Sequence, residues 1–300
     1  MRIVVALGGN ALLRRGERPD AEPQRRNVQR AAAALAPLAH EHQLIVTHGN
    51  GPQVGVLAME SAADPLLSRP FPLDPLGAET QGLIGYWLTQ SLHNVLPGRD
   101  VVALLTQCVV DVDDGAVAHP TKFVGPIYDE PTARALAAER AWTVAPDGDA
   151  WRRFVPSPEP IVVVEGDTIR RLVDAGVVVV CAGGGGIPVV RDHDGTLSGI
   201  EAVIDKDLTA WLLAATLDAD GLLLLTDVTA VETAYGEPRS EPIRSASVAE
   251  LHAFGFPPGS MGPKVEAASR FAAGGGFAAI GSLVEAEAVL AGRAGTRVTA

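Results

Sequence analysis

Lysine is scarce in this 300-residue chain: of 24 basic residues only three are lysines, at 122, 206 and 264. Basic charge as a whole is short, because 36 acidic residues outweigh it and leave a net charge of −12. With no dense basic run to break that acidity, a nucleic-acid or anionic-membrane partner is excluded. Cysteine is nearly absent, and Cys108 and Cys181 each sit in an apolar stretch outside any C-x-x-C spacing. That fits two reduced, buried thiols and excludes a disulfide framework. No apolar run reaches the ~20 residues of a membrane span, and the run Ile3 to Leu7 is too short for a signal-peptide core. A cytoplasmic location is expected. Two phosphate signatures are also missing: there is no G-x-x-x-x-G-K-[ST], and Gly49, Gly51 and Gly55 have the wrong spacing for a dinucleotide fingerprint.

What is present describes a folded α/β protein, with 47% hydrophobic and 20% charged residues. Short β-branched or aliphatic runs recur at 2–7, 44–47, 101–105, 177–181, 222–225 and 277–280, with a possible last strand at 296–298. Most are followed by Gly-rich turns and helix-patterned segments, predicted over 24–42, 78–94, 167–175, 201–217, 263–273 and 283–291. Runs such as Val177 to Val180, apolar on both faces, imply a mostly parallel sheet with helices on each side. Between about 111 and 160 the pattern changes to turns, prolines and scattered aromatics, which reads as an inserted subdomain or lid.

Four glycine loops follow these strands or open a helix: A-L-G-G-N-A-L from Ala6, T-H-G-N-G-P-Q-V-G from Thr47, A-G-G-G-G-I-P from Ala182, and G-S-M-G-P-K from Gly259. In an open parallel sheet the ligand crevice lies at the carboxyl ends of the strands, so the loops are expected to converge there. Adjacent glycines let backbone N–H groups close around an anion, and a helix start favours negative charge. Each lysine also sits beside a turn or helix start. Compact ammonium groups beside such loops suit phosphoryl transfer, whose catalysis is positioning and charge stabilisation. No Ser–His or paired-carboxylate constellation stands out, which is consistent with a nucleophile that is already an anion. Asp205 and Asp207 flank Lys206 and serve to orient the lysines or to hold Mg²⁺, with Asp207 the favoured organiser. No histidine pair has helical metal-ligand spacing, and no structural zinc is expected.

The motifs A-L-G-G-N-A-L, T-H-G-N-G-P-Q-V-G, Q-G-x-I-G-Y at Gln81, P-T-K at Pro120, W-R-R-x-V-P-S-P at Trp151, A-G-G-G-G-I-P-V, E-A-V-I-D-K-D at Glu201 and G-S-M-G-P-K-V-E-A run along almost the whole chain. Together they resemble the carbamate kinases of the amino acid kinase family. The resemblance implies a three-layer αβα sandwich with a small protruding subdomain. It divides the chain into a carbamate-binding lobe at about 1–200, carrying the lid at about 111–160, and a nucleotide-binding lobe at about 201–300. It implies transfer of a phosphoryl group between ATP and carbamate, giving ADP and carbamoyl phosphate, with Mg²⁺ on the nucleotide and a homodimeric assembly. The same fold acting on another small acid or phosphonate, and a nucleotide sensor without turnover, are the alternatives.

By the same resemblance, Gly8, Gly9, Asn10, Gly49, Asn50 and Gly51 embrace carbamate and the transferred group. Lys122, Lys206, Asp207 and Lys264 are the catalytic set. Gly184, Gly185, Asp205, Thr226, Asp227, Val228, Met261, Gly262 and Pro263 fall to the nucleotide. Two departures stand out: Thr229 replaces the usual Asp and Glu232 the usual Tyr near the expected nucleotide base.

Overall fold

The aliphatic runs pair into one eight-stranded sheet in the computed structural model, which describes residues 1–300 except 15, 141, 234–238 and 257–260, together with the side chains of all described residues but 10 and 126. In spatial order the strands are Ser245–Ser247, Thr296–Thr299, Phe277–Ser282, Gly221–Thr226, Arg2–Leu7, Gln43–His48, Val178–Val180 and Val101–Ala103. All neighbours run parallel except Thr296–Thr299, which lies antiparallel to Phe277–Ser282. Because side chains alternate along a strand, Ile3, Val5 and Leu7 join one apolar core with helices Ala21–Glu41 and Leu73–Val95. Val4 and Ala6 join a second core with helices Gly166–Asp174, Lys206–Thr216 and Gly262–Ala273. Both faces are therefore buried, and the expected three-layer αβα sandwich with a mostly parallel sheet is what forms.

Two helices begin about a turn earlier than their periodicity suggests, at Ala21 and Leu73, with Pro23 and Pro75 in the first turn, where a missing N–H costs nothing. The segment expected to start a helix at 201 is irregular up to Asp205 instead, and the helix opens at Lys206 because the Asp205 side chain accepts from Asp207 N and caps it. The segment 283–291 divides into a 3-10 turn, Leu283–Glu285, and a helix, Ala286–Leu290.

Two smaller sheets stand on the carboxyl side of the large one. Leu197–Gly199, Ile187–Arg191, Gln107–Val110 and Pro160–Val163 form a four-stranded mixed sheet. Within 111–160, strands Lys122–Tyr128, Ala150–Val155 and Thr143–Asp147 form an antiparallel sheet with helix Glu130–Arg140.

Candidate active site

The carboxyl ends of Arg2–Leu7, Gln43–His48 and Gly221–Thr226 lie side by side in register, Leu7 opposite both His48 and Leu225. The loops that leave them are consequently forced together. Gly8 N donates to Leu225 O at 2.8 Å, and Gly49 N donates to Leu7 O at 3.0 Å. A Cβ on Gly49 would lie 3.0 Å from Gly9 N and 3.3 Å from Lys206 Cε, so only glycine lets the first two loops and this lysine approach so closely. The third loop joins them at Gly184, whose φ is +67° and whose Cβ would fall 2.2 Å from Asn50 Nδ2. Gly185 packs in the same manner against the Ile204 carbonyl. Asn50 stands at the N-cap position of helix Gly51–Ala63, but its side chain makes no capping bond and donates instead to Thr80 Oγ1 at 2.9 Å. Asn10 contributes backbone to the helical turn Gly9–Leu12, directly after Gly8. Of the fourth loop, 259 and 260 lie outside the described residues, while Met261, Gly262 and Pro263 are half-buried at the start of helix Gly262–Ala273.

All three lysines meet here. Lys206 Nζ is 2.5 Å from Asp207 Oδ1, and Lys264 Nζ is 3.1 Å from Asp207 Oδ2. Lys122 Nζ reaches across 83 residues to Asp205 Oδ2 at 3.1 Å and to Ile204 O at 3.0 Å. Asp207 is buried, and each of its oxygens faces a different ammonium, which is how one carboxylate sets the spacing of two cations. Burial acts to raise the Asp207 pKa, but Lys206 and Lys264 outweigh it and hold the carboxyl below its usual range. Asp205 is lowered likewise, Lys122 and Lys206 overcoming its burial. Burial lowers Lys206 in spite of its carboxylate partners, whereas for Lys264 the attraction of Asp207 wins and the pKa rises. Lys264 is thus the more firmly protonated of the two.

Helices Gly51–Ala63, Lys206–Thr216 and Gly262–Ala273 all present their N-termini to this group, adding partial positive charge to the lysines. The arrangement can bind a polyanion and stabilise charge that develops on its oxygens. On the other flank, a Cβ on Gly8 would meet Thr226 Oγ1 at 3.4 Å; Thr226 donates to Asp227 Oδ1, and the electrostatic attraction of Asp227 reaches Lys264. Val228 is half-buried and Thr229 exposed. Glu232 accepts from Ser240 Oγ at 2.5 Å on the hairpin Val231–Thr233 with Glu241–Ile243.

Some supporting residues were not singled out by residue type. Thr80 steadies Asn50, and Gln81 makes a two-way bond with the Thr106 backbone at 2.8 and 3.1 Å. His48 is buried against Gly183, its Nδ1 3.1 Å from Gly49 O. Burial pushes its pKa down to about 4, so the ring is neutral at pH 7. The Q-G-x-I-G-Y motif drew attention to Gln81; nothing local pointed to Thr80.

Glycine turns gathered over a parallel sheet, with cations fixed by a central carboxylate, define a phosphotransferase class of site. The family model of the amino acid kinase family matches residues 1–280, and the chain belongs to that family. Over its whole length the chain is 51% identical to the carbamate kinase of Rhizobium meliloti, covering 93% of that protein, and 49% identical to the carbamate kinase of Haemophilus influenzae, covering 97%. The solved carbamate kinase of Giardia lamblia bound to AMP-PNP superimposes with a TM-score of 0.91 at 40% identity, over 99% of this chain and 98% of that one. A UMP kinase from Bacillus anthracis, at 15% identity and TM-score 0.55, shares the fold alone.

Proposed function

We propose that the chain is a carbamate kinase, catalysing reversible phosphoryl transfer between ATP and carbamate to give ADP and carbamoyl phosphate. The observation that carries this reading is the meeting of Lys122, Lys206 and Lys264 on Asp205 and Asp207, against the glycine loops at 8–9 and 49–51.

In this reading Gly8, Gly9, Asn10, Gly49, Asn50 and Gly51 hold carbamate and the group in transit. A carbamate oxygen is already anionic and attacks phosphorus in line without a general base, so the protein's work is to align it and to neutralise charge. Lys206 and Lys264 face the oxygens between donor and acceptor, Asp207 keeps the two ammonium groups apart, and Lys122 approaches from the small sheet. Asp205, Thr226, Asp227, Val228, Met261, Gly262 and Pro263 line the nucleotide side, while Gly184 and Gly185 support it through Asn50 and Ile204. The lobes fall at about 1–200 and 201–300, with the lid at about 111–160.

The carboxylates of Asp205 and Asp207 are both committed to lysines, and the described residues hold no group of three or more His, Cys, Asp or Glu side chains suited to a metal. This donor set fits Mg²⁺ that arrives on the nucleotide phosphates, where it screens their charge. Exposed Leu83 and Tyr86 on helix Leu73–Val95, with exposed Leu105 just past the strand Val101–Ala103 against which Gly85 of that helix packs, support a homodimer. No helix among the described residues is long and apolar enough to cross a membrane. The two cysteines are buried and unpaired, in keeping with a reducing cytoplasm.

The test is ATP formation from carbamoyl phosphate and MgADP in a luciferase-coupled assay, beside acetyl phosphate and other small acyl phosphates. Production of ATP from carbamoyl phosphate at least tenfold faster than from the others is expected. Preference for another acyl phosphate, or nucleotide binding without transfer in either direction, overturns the reading. Replacing ADP by GDP, with GTP formation read by ion-exchange chromatography, reads the consequence of Thr229 and Glu232 for base preference.

A further inference from the structure

An ion pair well away from Asp207 ties the small sheet to the rest of the molecule. Arg153 Nη2 lies 2.6 Å from Glu201 Oε1, and the other oxygen of that carboxylate accepts from Leu73 N at 2.7 Å, at the first residue of helix Leu73–Val95. Arg153 is largely buried and its guanidinium lies 4.6 Å over the Trp142 ring, so the charge is held on one side by an aromatic face and on the other by Glu201. Two residues further along the same segment, Val203 N donates to Pro156 O at 3.0 Å, and next come Ile204 O and Asp205, which hold Lys122. The strip 201–205 therefore grips the small sheet at an outer point, Arg153, and an inner point, Lys122, and runs directly into Lys206 and Asp207.

The register of the small sheet makes those two points move together. Lys122 pairs with Val155, and Arg153 pairs with Val124, so the two side chains belong to adjacent antiparallel strands only two residues apart in register. A third point is a backbone contact: a Cβ on Gly55 would fall 2.6 Å from Gly125 Cα, so only glycine lets helix Gly51–Ala63 press directly on strand Lys122–Tyr128, beside the cavity that Arg153 also lines. Held there, the sheet cannot carry Lys122 away from the site without separating Arg153 from Glu201.

We propose that Arg153 and Glu201 form a latch that positions Lys122 over the phosphoryl-transfer site, making both of them positioning residues for the reaction assigned above. The proposal rests on that reading for what Lys122 meets. The latch itself is a property of the sheet and the strip. Glu201 has a second task, because its bond to Leu73 N anchors the latch on the helix that also carries Thr80 and Gln81, the supports of Asn50 and Thr106.

The test uses the full chain with Glu201→Gln, Arg153→Met, Arg153→Lys and the Glu201→Gln/Arg153→Met double variant. Steady-state kinetics with carbamoyl phosphate and MgADP are measured beside amide exchange over 122–128 and the melting temperature. Each of the two charge-removing variants is expected to raise the KM for carbamoyl phosphate roughly three- to tenfold, with a smaller change in kcat, and to speed exchange over 122–128. The double variant is expected to be little worse than either single one, since both break the same contact. Arg153→Lys should recover part of the loss. KM and exchange unchanged in both single variants overturn the latch, as does a double variant whose effect is the product of the two. A lowered melting temperature with unchanged KM makes the pair purely structural and also overturns it. If the unsubstituted chain forms no ATP from carbamoyl phosphate, the functional reading fails by itself; exchange over 122–128 and its non-additivity then decide the latch.

Discussion

In the eight-stranded sheet Val4, Val5, Leu222 and Leu224 are wholly sealed, while in the small sheet and its helix only Val124, Ala133 and Val155 among the described residues 122–155 are buried. What holds the small unit is a set of pairwise contacts: Phe123 stacked on Phe154 at 4.2 Å, Arg134 over Trp151 at 4.6 Å, Arg140 and Arg153 over Trp142, and Arg152 bonded to Gly125 O and Asp147. Burial of aliphatic area is non-directional and cooperative, and it fixes the glycine loops rigidly at the strand ends. Cation–π pairs and half-exposed ion pairs contribute about 0.5–1 kcal/mol each. A unit built from them is held by less apolar burial than the large sheet, so local opening is expected to cost less there. The difference separates Asp207 with its two lysines, set against the sealed sheet, from Lys122, which stands on the more thinly packed unit.

The sharpest way to break this comparison is at the rigid end. Lys206→Ala is expected to lower kcat by about 10²-fold or more, the scale of removing one preorganised charge stabiliser, while circular dichroism stays native. A folded variant turning over at near the wild-type rate would end the assignment of Lys206.

Next in size is a pH effect on the sealed sheet. His48 titrates at about 4 in the folded chain against an ordinary 6.5, lowered by burial. The unfolded chain therefore binds the extra proton first as pH falls. Stability from this group is complete above about 6.5 and is lost progressively towards pH 4, by about 3 kcal/mol in all. Chemical denaturation of wild type and His48→Gln at pH 7.5, 5.5 and 4.5 should show a shallower decline in the variant; parallel declines would mean that water reaches this ring.

The smallest effect belongs to the thinly packed end. Arg134→Ala removes an exposed cation from Trp151 and from Glu130, and is expected to weaken the small unit by about 0.5–1 kcal/mol. The readout is faster amide exchange confined to 143–155 with an unchanged global melting temperature. A fall in the global midpoint would show that the two regions unfold as one.

Parts of this architecture were readable from residue order and parts were not. Val178 to Val180 and Leu222 to Leu225 announce themselves as strands because a run apolar on both faces has no other stable place in a soluble protein of this size. The sheet containing Gln107–Val110, Ile187–Arg191 and Leu197–Gly199 has little local signature, since its strands are three to five residues long and the first two pair across 80 positions, leaving only the short hairpin of the last two to be read locally. The loops over the strand ends could be named as glycine turns, yet nothing in G-G-G-G says that Gly184 is there to admit Asn50, because that constraint comes from a side chain 134 residues away. The local pattern at Glu201 suits the start of a helix; the cap at Asp205 and the partners Arg153 and Leu73 N, distant in sequence, are what keep it out of one.

By itself the order of residues determined the parallel sheet, the absence of a membrane span, and the identity of the few ammonium groups able to meet an anion, for these depend on composition and short-range periodicity. Only the tertiary structure decided which carboxylate each lysine faces, which histidine is sealed from water, and where the small sheet is fastened. Apart from the adjacent pair Lys206 and Asp207, those depend on distances between segments 48 to 135 residues apart, and such distances are settled only when the two apolar cores close on either side of the sheet.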